Sequence, residues 1–132
     1  MDWFMTKAMT QFFSDHPPKA FRPCAYYDEH LDCIRVQTRD CSFIEIRVNT
    51  LFTIYQANHL ERVEYIGFSI KGIRYAFEKT ELSKEKERPF ILAEIIDVII
   101  KAYPDLFSDL ILREFAGTLS LEVEGLPYQE AA

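Results

Sequence analysis

The chain has 132 residues, with 15 Lys and Arg against 21 Asp and Glu for a net charge of −6, and it is 48% apolar and 14% aromatic. So much apolar material at modest charge excludes intrinsic disorder, and four Gly with six Pro exclude a collagenous or linker-like chain. Nucleic acid is excluded as a partner because there is no basic footprint: Lys84, Lys86 and Arg88 alternate with Glu85 and Glu87, and residues 105–132 hold six acids against one base, Arg113.

Residues 2–14 place Trp3, Phe4, Met5, Ala8, Met9, Phe12 and Phe13 on one side of a helical projection, with Asp2, Thr6, Lys7 and Gln11 on the other. This predicts an amphipathic helix stopped by His16-Pro17-Pro18. Its polar side has only Lys7 as a base, so it is expected to dock on a sheet or a second copy rather than on a membrane surface.

From Cys24 to Ile70 the pattern changes to period two, and strands are expected over Ala25 to Asp28, Cys33 to Thr38, Ile44 to Val48, Leu51 to Gln56 and Val63 to Ile70. Asp28 to Asp32, Arg39-Asp40 and Ala57-Asn58-His59 supply the turns. In the third strand Ile44, Ile46 and Val48 alternate with Glu45, Arg47 and Asn49, which assigns the aliphatic set to the inward side. Ile66, Phe68 and Ile70 are expected to share one side of the fifth, and Gly67 among them marks a bulge or the close approach of another backbone.

Residues 73–79 suit a short helix and residues 89–103 a longer one ended by Pro104. The longer helix leaves only Glu94, Asp97 and Lys101 as a polar stripe, and the i,i+4 spacing of Asp97 and Lys101 favours helix over strand. Asp105 is placed to cap a further helix ending at Gly117, and residues 118–124 alternate as a last strand. The expected architecture is one α+β domain over residues 1–132. An antiparallel meander of about five strands (24–70) is covered by the N-terminal helix and a helical region (73–116), with an extra strand at 118–124.

Tyr27-Asp28-Glu29-His30-Leu31-Asp32-Cys33-Ile34-Arg35-Val36, followed by Val63-Glu64-Tyr65-Ile66-Gly67-Phe68-Ser69-Ile70, resembles a small bacterial domain family of unknown function. That family has a tyrosine-aspartate turn and a glycine-containing closing strand, and the resemblance covers about residues 25–80. It implies a meander of strands with helices and brings no catalytic residue.

Chemistry-bearing residues are few. Asp28, His30, Asp32 and Cys33 fall within six positions and, with His59, form a speculative polar cluster for a metal- or thiol-dependent enzyme. An exposed turn whose carboxylates bond their own backbone is the competing reading. Cys24, Cys33 and Cys41 lack the C-x2-C spacing of a zinc site, and the four Gly form neither a phosphate loop nor a nucleophile elbow. No catalytic residue, metal ligand or cofactor is therefore assigned.

Three Cys argue against a disulfide framework. No apolar run reaches the ~18–20 residues of a membrane span, and no secretory signal stands at the N-terminus. The expectation is thus a bacterial cytoplasmic protein with no membrane partner. The surplus of apolar residues points to self-association as a homodimer, with Phe90, Ile91, Ile95, Ile96, Ile99 and Ile100 as its interface. On this reading the chain is a non-catalytic protein-interaction module. An antitoxin- or immunity-like neutralising partner of a basic protein, using the acidic C-terminal stretch, and a small metal- or thiol-dependent enzyme are the alternatives.

Overall fold

The structure is a computed structural model and describes residues 20–59, 61–80, 89–106 and 109–126. The amphipathic segment 2–14 lies outside the described residues. Six strands form one sheet: β1 (Cys24–Asp28), β2 (Cys33–Gln37), β3 (Phe43–Arg47), β4 (Phe52–Ala57), β5 (Tyr65–Lys71) and β6 (Val123–Glu124). The helices are α1 (Ile73–Thr80), α2 (Leu92–Ala102) and the short α3 (Leu110–Glu114), followed by a 3-10 turn at Ala116–Thr118. The fold class is α+β, as expected.

The sheet differs from the expected meander in two ways. Its order is β3-β4-β5-β2-β1-β6, so β2 pairs with β5, and the β3–β4 hairpin is displaced to one edge. It is also mixed, because β6 lies parallel to β1, with Ala25 opposite Val123. The expected strand over 118–124 shrinks to these two residues, since the 3-10 turn reaches Thr118, a turn holds Leu119 and Ser120, and Glu122 makes an isolated antiparallel bridge with Ile91.

One side of the sheet carries Ala25, Tyr27, Ile34, Val36, Phe52, Ile54, Phe68 and Ile70 into a common core with Ile73, Ala76 and Phe77 of α1 and Leu92, Ile95, Val98 and Ile99 of α2. Complete burial of an aliphatic side chain of this size is worth about 1.5–3 kcal/mol. The Glu94 side chain of α2 accepts the Ile91 N–H at 3.0 Å, half of a capping box, and Lys101 meets Asp97 at 2.9 Å as the spacing predicts. Asp105 caps nothing: α3 begins five residues later, after Asp109, with no side-chain cap. Among the described residues no helix is long and apolar enough to cross a membrane.

Both features expected at Gly67 are present. The register shifts between Tyr55 and Gln56 of the neighbouring strand, and a Cβ on Gly67 would lie 2.1 Å from the Val36 carbonyl oxygen. The irregularity has a consequence that strict alternation misses. Ile66 does not join Phe68 and Ile70; it packs with Tyr55 and Ala57 in a second, smaller cluster, which Phe43 and Cys41 flank.

Candidate functional site

The Asp28–Cys33 turn uses its carboxylates to build structure. One oxygen of Asp28 accepts the N–H groups of His30 at 3.0 Å and Leu31 at 3.3 Å, and the other faces the Arg35 guanidinium at 3.5 Å. Burial pushes the Asp28 carboxyl up, but those N–H groups and Arg35 outweigh it and hold the group below the usual aspartate range. Asp32 adopts a positive φ of 50°, which Asp tolerates better than most residues. Its carboxylate accepts the Tyr27 hydroxyl at 2.7 Å and the backbone N–H of Arg74, in the first turn of α1, at 3.1 Å. The Asp32 carbonyl accepts the Gly72 N–H, and Arg74 donates to the Glu29 carbonyl, both at 3.1 Å. The turn is thus a clamp on the β5–α1 junction.

The five residues of the speculative polar cluster do not meet. Cys33 is 1% exposed, and burial pushes its thiol up, the opposite of an activated nucleophile. His30 is exposed on the turn. His59 stands at the other end of the sheet, because β4 runs away from the end where β1 turns into β2. Cys33 pairs with Lys71 at one end of β5, whereas His59 bonds Glu64 just before the other end, roughly 20 Å away at strand spacing. There the Glu64 carboxylate takes His59 at 3.3 Å, Arg62 at 3.0 Å and Arg39. Among the described residues no three His, Cys, Asp or Glu form a group that could hold a metal ion.

The side of the sheet away from the helices carries a network that sequence reasoning missed. Arg35 on β2 reaches across β5 to the Tyr55 hydroxyl at 3.0 Å and to Glu45 on β3 at 3.5 Å. The crossing needs Gly67, since a Cβ there would come within 2.9 Å of the Tyr55 ring. Tyr55 stacks on Phe43 with ring centroids 4.7 Å apart and also hydrogen-bonds Ser69. Burial raises the Tyr55 phenol above its ordinary pKa, against the pull of Ser69 and Arg35. With Asp28, Glu45 and Tyr55 around it, the Arg35 guanidinium is committed to tying β1, β2, β3 and β4 together. An open cleft bounded by Pro23, Thr38, Tyr65, Phe115, Thr118 and Leu121 includes none of these groups, and a second open cleft, lined by Asn58, His59, Glu61 and Arg62, brings in His59 without the other four residues of the polar cluster.

The expected interface is corrected too. Ile95, Ile96 and Ile99 are 0%, 3% and 0% exposed and Phe90 is buried, while Ile91 and Ile100 are half-buried. The sheet and α1 consume the stripe of α2 within one copy of the chain. Exposed aliphatic residues lie elsewhere: Leu31 and Val63 singly, and a run of three on β3 and just beyond its end. Ile46 is opposite Ile54, and Ile54 belongs to the main core, so Ile44, Ile46 and Val48 are on the helix side of the sheet as their alternation predicts. They are nonetheless 49%, 39% and 39% exposed.

β3 is also an open backbone edge among the described strands. Val48 N–H bonds the Phe52 carbonyl and Asn58 N–H bonds the Ser42 carbonyl. The even-numbered residues therefore bond β4, and the N–H and C=O groups of Phe43, Glu45 and Arg47 point outward. No protein-family model matches this chain, and no curated protein or solved structure matches it either.

Proposed function

We propose that this chain is a non-catalytic interaction module whose docking element is the outer edge of β3. The observation that carries this reading is the coincidence, on β3 and the residue after it, of backbone groups at Phe43, Glu45 and Arg47, which no described strand pairs, with exposed aliphatic side chains at Ile44, Ile46 and Val48. An apolar sheet edge left open is a template for another chain, and strand addition supplies hydrogen bonds and side-chain burial together. The absence of catalysis in this reading is supported by the use of Asp28 and Asp32 as turn clamps and by the protonated, buried Cys33 thiol.

A photo-reactive amino acid at position 46 tests it, with position 63 as the control because Val63 is 65% exposed and apolar but lies off the edge. Irradiation in native lysate is expected to join position 46, and not position 63, to a polypeptide, and excess unlabelled protein is expected to abolish the product. Equal labelling from the two positions would refute the reading.

A further inference from the structure

We infer that the occupant of the β3 edge is a second copy of this chain, paired antiparallel about a two-fold axis at Ile46. The inference rests on the docking reading above and adds the partner and the register. The outward-facing groups at residues 43, 45 and 47 allow a symmetric antiparallel pairing to centre on any residue of β3, and the side chains choose among the centres.

Centring on Glu45 or Arg47 sets that charge against its own copy, which is destabilising. Centring on Ile44 places Ile46 opposite Ser42 and Val48 opposite Asp40, so two aliphatic side chains face polar ones. Centring on Ile46 places Glu45 opposite the partner's Arg47 and Arg47 opposite the partner's Glu45. On the other side of the sheet, Ile46 then meets its own copy, and Ile44 meets Val48 twice. Centring on Phe43 places Ile46 opposite Asp40 and Arg47 opposite Arg39, so of the five centres only Ile46 opposes Glu to Arg and aliphatic to aliphatic across residues 44–48; Phe43 then faces the partner's Asn49 at the end of the seam.

The geometry of the free strand suits it. Residues 45 and 47 both direct their backbone groups outward, so each Glu45–Arg47 pair exchanges two backbone hydrogen bonds. The two Ile46 residues form a non-hydrogen-bonded pair, where opposing side chains approach most closely. Glu45 is more than half exposed despite its contact with Arg35. Among the described residues Arg47 uses its Nε alone, on the Asn49 carbonyl at 3.2 Å, which leaves its terminal N–H groups for a carboxylate. Pairing in this way closes both open edges at once, the isologous solution commonest among soluble oligomers.

Charge exchange across the seam tests the register. The wild-type chain is expected to sediment as a dimer at micromolar concentration. Arg47→Glu and Glu45→Arg each place like charges at both ion-pair positions and are expected to weaken the dimer roughly tenfold or more. An equimolar mixture of the two variants restores opposite charges at both positions and is expected to give a heterodimer, and the double variant is expected to dimerise again. Circular dichroism checks that the fold is intact in each variant, and because Glu45 also meets Arg35, Arg47→Glu is the arm that reads the seam alone. A wild-type chain that stays monomeric at high micromolar concentration overturns the second-copy proposal, while photo-labelling from position 46 still reports on docking. A dimer weakened by Ile46→Lys but indifferent to both charge reversals overturns the register and leaves the edge in use. A dimer indifferent to all three overturns the proposal and removes β3 as the docking element.

Discussion

Replacement of Gly67 by Ala separates what the structure dictates from what strand propensity alone would suggest. In a strand interior Ala is ordinarily the better residue by about 0.5–1 kcal/mol, because Gly loses more conformational freedom on folding. At position 67, however, the new Cβ would stand 2.1 Å from the Val36 carbonyl oxygen and 2.9 Å from Cδ2 of Tyr55, where ordinary contact begins at 3.4 Å. The obstacle at Val36 is backbone, so no side-chain rotation relieves it, and β2 and β5 must part by over an ångström at the centre of the sheet. Overpacking of this kind costs about 1–3 kcal/mol, and weakening a ladder hydrogen bond adds about 0.5–1.5 kcal/mol. With the propensity gain subtracted, the expected loss is about 0.5–4 kcal/mol and centred on ~2 kcal/mol, a large share of the ~5–15 kcal/mol that holds a domain folded. Urea unfolding followed by far-ultraviolet circular dichroism should show the midpoint falling by about 1 M at an m-value of ~2 kcal/mol/M. Gly117→Ala is the control, since no atom lies within 4 Å of its Cβ position, and it should stay within about 0.5 kcal/mol of the wild type or gain slightly. A Gly67→Ala protein as stable as the wild type would refute the close approach and, with it, the explanation of how Arg35 crosses β5.

Asp32→Ala removes the acceptor shared by the Tyr27 hydroxyl and the Arg74 N–H and should cost about 1–3 kcal/mol by calorimetry. Asp32→Asn, which keeps an oxygen and tolerates the positive φ, should cost less than half as much, and equal losses would disprove the clamp. The stabilisation owed to the lowered Asp28 pKa is fully present above the ordinary value of about 3.9 and is lost as the pH falls through the lower folded value. The stability difference between wild type and Asp28→Asn should therefore be constant near pH 6 and shrink below pH ~4, and a difference unchanged throughout that range would contradict the assignment. The Cys33 thiol, buried and with a raised pKa, should be alkylated only as fast as the chain unfolds, so rapid labelling of the native protein would contradict its burial.

The local elements were legible because their signals are local. Alternation located the five long strands to within a residue or two, and the Asp97–Lys101 spacing with Pro104 identified α2. What failed depended on non-local information. The pairing of β2 with β5 is a choice among partners that periodicity does not encode. The separation of His59 from His30 follows from that pairing and from strand direction, so two residues that looked like ligands of one site lie at opposite ends of the sheet. Ile66 departs from the alternation because the ladder skips it: Tyr55 pairs with Gly67 and Gln56 with Tyr65, which leaves Ile66 as the extra residue on β5, and Gly67 beside it is the advance sign in the sequence.

The misreading of the interface has a geometric cause, and that cause also places the exposed edge. Alternation reports which side of a sheet a residue faces, whereas exposure depends on whether anything lies over that side. Two helices, each about 10 Å across, cover roughly 20 Å, while six strands at about 4.8 Å spacing span nearly 30 Å. Among the described residues, with α1 and α2 packed on the sheet, a margin is left over, and the displacement of the β3–β4 hairpin to the outside puts β3 in it. The apolar residues that the sequence offers for an interface on α2 are therefore mostly enclosed within one copy, and the run of exposed aliphatic residues is at β3 instead. The helix rich in Ile is buried in the main core and is spent there, while Ile44, Ile46 and Val48, on and just beyond the modest strand Phe43–Arg47, stay exposed together. Its charged residues are on the opposite side from its aliphatic ones, so they do not shield Ile44, Ile46 and Val48 from a neighbour. An edge strand bearing Lys on its aliphatic side would repel pairing; this one places Glu45 and Arg47 two residues apart, the spacing at which the strand complements its own reversed copy.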